Sequence, residues 1–170
     1  MLLPGKSINF GADLLSTKTQ NMKLQVEVPI HATREEIWKI ITDIENAPDH
    51  ISGIEKVEIH HHPGEELVGL KWTETRTLFG KTATETMWVT EAEQHHYYKT
   101  RAESHGAIYT SILRIEEKDG QTYLGMEFSS APQRLGAKFM ATVLGPLFKG
   151  ATKKALMQDL LDIKKLAEEE

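Results

Sequence analysis

The chain of 170 residues has no cysteine, which excludes disulfides, cysteine-ligated zinc, iron–sulfur clusters and a thiol nucleophile, and suits a reducing compartment. It has no basic stripe either. The formal charge is −5 and the pI about 5.9, and no cluster of Lys and Arg with interleaved aromatics is present, so nucleic acid is not an expected partner. No apolar run approaches the roughly 20 residues that cross a bilayer. Met1-Leu2-Leu3-Pro4-Gly5-Lys6 lacks the charged-then-apolar order of a secretion signal, and a cytoplasmic setting is expected. Also missing are a Gly-Xaa-Ser-Xaa-Gly elbow, a phosphate-cradling glycine loop and a dinucleotide fingerprint.

What remains, 39% hydrophobic and 26% charged residues, suits one domain with its own core. Residues 1–21 are weakly periodic, with Pro4, Gly5, Gly11 and the polar run Ser16 to Asn21, and read as an N-terminal extension, either a packed arm or a disordered leader ahead of Met22. The domain proper is expected over 22–168. Leu24, Val26, Val28 and Ile30 alternate with polar neighbours as in a strand with one buried face, and Pro29 puts that strand at an edge or near its end. Thr33-Arg34-Glu35-Glu36 is a capping box opening a helix with Ile37, Trp38, Ile40, Ile41 and Ile44 on its apolar side. Pro48 stops the short second turn that follows.

From Ile54 to Ser130 the chain is a train of strands. A two-residue turn at Gly80-Lys81 would set Arg76 opposite Glu85, Glu74 opposite Met87 and Trp72 opposite Val89. One face then carries Trp72, Glu74, Arg76, Leu78, Ala83, Glu85, Met87 and Val89, and the other a threonine ladder, Thr73, Thr75, Thr77, Thr82, Thr84 and Thr86, that faces water. Asp119-Gly120 sets Ile115, Leu113 and Ser111 opposite Leu124, Met126 and Phe128. His105-Gly106 aligns Tyr98, Thr100 and Ala102 with Leu113, Ser111 and Tyr109. All three turns yield a common inner face, which a one-residue slip would invert.

After Pro132 the chain is helical, a rod of roughly 50 Å if unbroken, with a bend or a new start expected at Gly145-Pro146. Phe148, Thr152, Ala155, Leu156, Leu160, Ile163 and Leu166 form its sheet-facing stripe and Lys149, Lys153, Lys154 and Lys164 its outer side. The terminal Glu168-Glu169-Glu170 opposes the helix dipole and should fray.

The residues Trp38-Lys39-Ile40-Ile41-Thr42-Asp43-Ile44-Glu45-Asn46-Ala47-Pro48, Thr73 to Lys81, Trp88-Val89-Thr90-Glu91 and the Gly145-Pro146 break, together with the element order, resemble the START/Bet v 1-like (polyketide cyclase, SRPBCC) superfamily over about Met22 to Leu166. The resemblance implies an α+β helix-grip fold, in which a seven-stranded antiparallel sheet wraps a long C-terminal helix and two short helices follow strand 1. It further implies a cavity between sheet and helix for lipids, quinones or aromatic polyketides, and places the chain near the coenzyme Q-binding and cyclase/dehydrase members.

The residues themselves offer Trp72, Glu74, Arg76, Glu85, Met87, Tyr98, Thr100, Tyr109, Ser111, Met126, Phe128, Phe139, Met140 and Val143 as candidate ligand-binding positions, although the apolar ones equally suit a plain core. An unpaired inner charge is costly, so Arg76 should pair with Glu85 across the strands, which leaves Glu74 either as an acid–base or hydrogen-bonding carboxyl or as a second partner for Arg76. The leading expectation is a binder or carrier of a hydrophobic small molecule, with no cofactor and with room for transient membrane contact. The rival is a cyclase or dehydratase working through Glu74, Arg76 and Tyr109, and a third reading is a co-chaperone-like module using the threonine face. His60-His61-His62, His95-His96, His50 and His105 read as solvated turn residues, since strand neighbours point to opposite faces and no further ligand completes a metal set.

Overall fold

The computed structural model describes residues 22–78, 80–133 and 135–169, with the backbone alone described at residues 78, 81, 132 and 135–148. The chain runs β1 (Met22–Ile30), α1 (Arg34–Thr42), α2 (Ala47–His50), β2 (Ile54–His61), β3 (Lys71–Leu78), β4 (Lys81–Glu93), β5 (Tyr97–Ser104), β6 (Ala107–Lys118), β7 (Gln121–Pro132) and α3 (Leu135–Glu169). The strands form one antiparallel seven-stranded sheet in the order β1-β7-β6-β5-β4-β3-β2, so β1, with its Pro29, is an edge as expected.

Local chemistry accounts for the element boundaries. The Thr33 hydroxyl accepts from the Glu36 amide (3.2 Å) and the Glu36 carboxylate accepts from the Thr33 amide (2.8 Å), closing the capping box that starts α1. His105 and Gly106, and likewise Asp119 and Gly120, take positive φ, the geometry of tight hairpin turns. These turns set Thr100 opposite Ser111 and Ser111 opposite Phe128, as anticipated.

The β3–β4 hairpin corrects the expected register. Gly80 takes φ +70° as the second turn residue rather than the first, so Leu78 faces Lys81, Arg76 faces Ala83, Glu74 faces Glu85 and Trp72 faces Met87. Moving a turn by one residue shifts the pairing by two, and a shift of two leaves every side chain on its own face. The threonines accordingly stay together outside, where Thr73 shares a hydrogen bond with Thr86 (2.7 Å) and Thr75 with Thr84 (3.2 Å).

Two further corrections concern α3. It is one continuous element from Leu135 to Glu169, so Gly145-Pro146 lies within it and starts no second helix; a proline there deletes only one backbone donor. Nor is its end simply frayed or its lysine row wholly outward. Glu168 accepts from the His31 amide (2.8 Å) and from Lys164 (2.9 Å), and the Lys164 ammonium also donates to the Pro29 carbonyl (2.5 Å). Gln121 donates to the neighbouring Ile30 carbonyl (2.9 Å).

Leu156, Leu160, Ile163 and Ala167 of α3 form the core with Val26 and Val28 of β1, Ile37 and Ile41 of α1, and Leu113, Ile115, Leu124 and Met126 of the sheet. Leu160 is wholly buried. Leu160→Ala is expected to cost about 2–5 kcal/mol, the range for emptying such a site, read as a lower urea midpoint at an unchanged slope.

Candidate functional site

The inner face has two halves of different character. Toward the ends of β5, β6 and β7 nearest α1, Tyr98, Leu113, Ile115, Leu124 and Met126 are buried beneath α1 and the C-terminal half of α3. Toward the β5–β6 turn, Met87, Tyr109, Ser111, Phe128 and Ser130 are only half-buried. The pairings place Trp72, Met87, Ala102, Tyr109 and Ser130 in a row across β3 to β7, and the small Ala102 separates Met87 from Tyr109. The Tyr109 and Phe128 rings stack with centroids 6.1 Å apart. This is an apolar floor with hydroxyls at its edge, the usual composition of a small-molecule site. Phe139, Met140 and Val143, expected on the opposite wall, lie outside the described side chains.

The inner-face charges are gathered differently from the sequence expectation. Arg76 does not pair with Glu85. Its Nε is bonded to the Glu74 carboxylate, and its Nη2 donates to Asp159 Oδ2 at 2.7 Å. Glu74 and Glu85 would be like charges face to face, and each turns to another partner: Glu85 accepts from the Ser104 hydroxyl (2.8 Å) and lies 3.7 Å from His105. Asp159 was not singled out from the sequence, although it falls in phase with Leu156 and Ile163 on the buried stripe. Its side chain is 5% exposed, and an acidic residue on an apolar helix face signals an opposite charge waiting on the facing layer.

One guanidinium serves two carboxylates. Burial pushes the Arg76 group toward neutrality, but the charges of Glu74 and Asp159 overcome this and hold it firmly protonated. Asp159 moves the other way: its burial outweighs the attraction of Arg76, with the nearby Glu74 adding repulsion, and its carboxyl is raised above the ordinary aspartate value. Tyr98 is a strut rather than an open site residue, since its hydroxyl donates to the Ile41 carbonyl at 3.0 Å; burial, followed by the two carboxylates, pushes its ionisation far up. Thr100 and Met126 are likewise buried. Tyr109 is also raised, by burial and by Glu85, and is a neutral hydroxyl at ordinary pH.

The histidines have local roles. His60 bonds the Thr73 hydroxyl (2.6 Å), His62 accepts from the Gly64 amide (3.3 Å), and His95 packs edge-on against Trp38. Among the described residues no group of His, Asp or Glu gathers as a metal site, and no helix is long and apolar enough to cross a membrane. An open groove of about 340 Å³ beside the first turn of α1 is lined by Arg34, Arg114, Glu116 and Glu117 among others. Its arginines are already paired, Arg34 with Glu117 at 3.4 Å and Arg114 with Glu127 at 3.2 Å, which makes it a solvated polar surface.

Arg76→Met strands two buried carboxylates and is expected to destabilise by about 3–5 kcal/mol, with Asp159→Asn in the same chain restoring part of the loss in urea unfolding. Asp159 also sets a pH dependence. Its folded carboxyl binds a proton more tightly than the unfolded one, so its contribution is full below the ordinary value of about 3.9 and is lost as pH rises through the higher folded value. Urea midpoints from about pH 3.5 to about pH 7 should show wild type losing ground to Asp159→Asn over that climb and holding level above it.

Residues 21–163 match the family described as polyketide cyclase / dehydrase and lipid transport. No curated protein matches the sequence significantly. Among solved structures the chain is similar to the Zhui aromatase/cyclase from Streptomyces sp. R1128 (TM-score 0.72, 15% identity, 88% of this chain and 94% of that one). It is similar also to a START superfamily protein from Mycobacterium smegmatis (0.70, 15%, 86% and 97%) and to TTHA0849 from Thermus thermophilus (0.70, 12%, 85% and 95%). At such identities these likenesses establish the shared fold, the helix-grip of the START/Bet v 1-like proteins. With most of its length matched, the chain belongs to the polyketide cyclase / dehydrase and lipid transport family.

Proposed function

We propose that this protein binds or carries a hydrophobic, ring-containing or isoprenoid small molecule, such as a lipid, quinone or polyketide-like compound, against Met87, Tyr109, Ser111 and Phe128. Phe139, Met140 and Val143 of α3 would supply the opposite wall. The carrying observation is the contrast along one face of one sheet: one half is sealed by α3, whereas the other leaves large apolar side chains half-buried. Residues 22–168 would be the binding unit, with 1–21 an extension, and the absence of cysteine agrees with a cytoplasmic setting.

The geometry favours binding over the cyclase or dehydratase alternative. Glu74 and Arg76 are spent on each other and on Asp159, while Tyr109 stands three strands from Glu74, about 14 Å at ordinary strand spacing. A general acid and base need to converge on one reacting atom. The threonine face, where Thr73 is bonded to Thr86 and Thr75 to Thr84, gives little support to a partner-binding module.

Native mass spectrometry of the protein purified from cells should show a noncovalent, organic-extractable adduct, or uptake of added 2-ethylnaphthalene. Ser111→Trp, which fills the floor, should weaken retention about tenfold, or about 1.4 kcal/mol. A wild type that carries no adduct and takes up neither this hydrocarbon nor its ketone analogue 2-acetylnaphthalene ends the binding reading.

A further inference from the structure

Trp72 stands at the β3 end of the row that continues through Met87, Ala102 and Tyr109, and it is 3% exposed. Its indole Nε1 is sealed from solvent and, among the described residues, has no hydrogen-bond partner. Among the described residues it is the only buried side-chain nitrogen or oxygen in that position. The charged groups of the inner face and Tyr98 are occupied: Glu74, Arg76 and Asp159 by one another, Tyr98 by the Ile41 carbonyl, and Glu85 by Ser104. An indole N–H can only donate, and a buried donor left unmade is costly. An aromatic side chain without a donor would avoid that cost, so the nitrogen needs a use.

We infer that the Trp72 N–H is the specificity-determining donor of the binding site and takes an uncharged oxygen acceptor, a ketone or quinone-type carbonyl, on the ligand. This rests on the binding role proposed above and narrows its ligand class. The charge on the acceptor follows from the neighbours. Glu74 lies two residues along the same strand face, about 7 Å away by strand geometry, and Glu74 with Asp159 outnumber Arg76 by one negative charge when all are ionised. A carboxylate or phosphate acceptor would enter against that excess, whereas a neutral carbonyl gains the hydrogen bond without the repulsion. A pure hydrocarbon would leave the donor as it is, and a site built to hydrogen-bond a group discriminates strongly against analogues that lack it.

The test uses the full-length protein and three probes of matched shape: 2-acetylnaphthalene, 2-ethylnaphthalene and 2-naphthoate. By calorimetry wild type should bind the ketone at least tenfold more tightly than the hydrocarbon and than the carboxylate. Trp72→Phe should erase the preference, bringing the ketone-to-hydrocarbon affinity ratio from at least tenfold to about one. In wild type, where no variant has to fold, one of the three indole N–H resonances should move downfield with the ketone and not with the hydrocarbon. That resonance should be the one missing from Trp72→Phe. Equal binding of ketone and hydrocarbon, equal weakening of both in the variant, or no indole shift overturns the inference while leaving the binding role standing. Failure of wild type to bind any of the three removes both.

Discussion

The structure depends on how α3 is fastened to the sheet. Leu156, Leu160, Ile163 and Ala167 supply apolar burial, and in their midst Asp159 reaches Arg76 on β3. Among the described side chains the fastening lies in the C-terminal half of the helix. A sheet packed on a rod keeps its inner face dry along that contact.

The ionic contact inside this fastening is costly in isolation and coherent as a group. A buried pair seldom outperforms apolar packing, but removing one member leaves a bare charge in a poor solvent. Here the Arg76 guanidinium offers its fork to two carboxylates on different elements, so a strand and a helix are held in one relative position by geometry as well as by contact area. The same arrangement engages Glu74 and Arg76, which the sequence alone puts forward as acid–base residues, with each other and with Asp159.

Much of the fold was legible because strand side chains repeat every two residues and three tight turns anchor the phases. His105-Gly106 and Asp119-Gly120 take the backbone conformation their residue types prefer, and the pairings follow. Gly80 takes the second turn position where its sequence neighbourhood suggests the first, yet parity protects the faces: the neighbours of Arg76 change and its side of the sheet does not. What stayed hidden was the choice of partner. Nothing local ties Arg76 to a residue 83 positions away, and the sign of that contact, an aspartate in phase with leucines, stands out only once the helix is laid on the sheet. Lys164 and Glu168 escaped for the same reason, since their partners Pro29 and His31 lie at the far end of the chain.

Those last contacts bear on how the protein keeps to itself. An outermost strand exposes backbone groups that a second molecule can adopt as its own next strand, the first step toward fibrous association. At the end of β1 the Pro29 nitrogen has no hydrogen to offer, its carbonyl is occupied by Lys164, and the amide of His31 is held by Glu168. The tail of the helix thus works as a bumper on the sheet's rim, and trimming the chain before Lys164 would unmask that rim as well as shorten the helix.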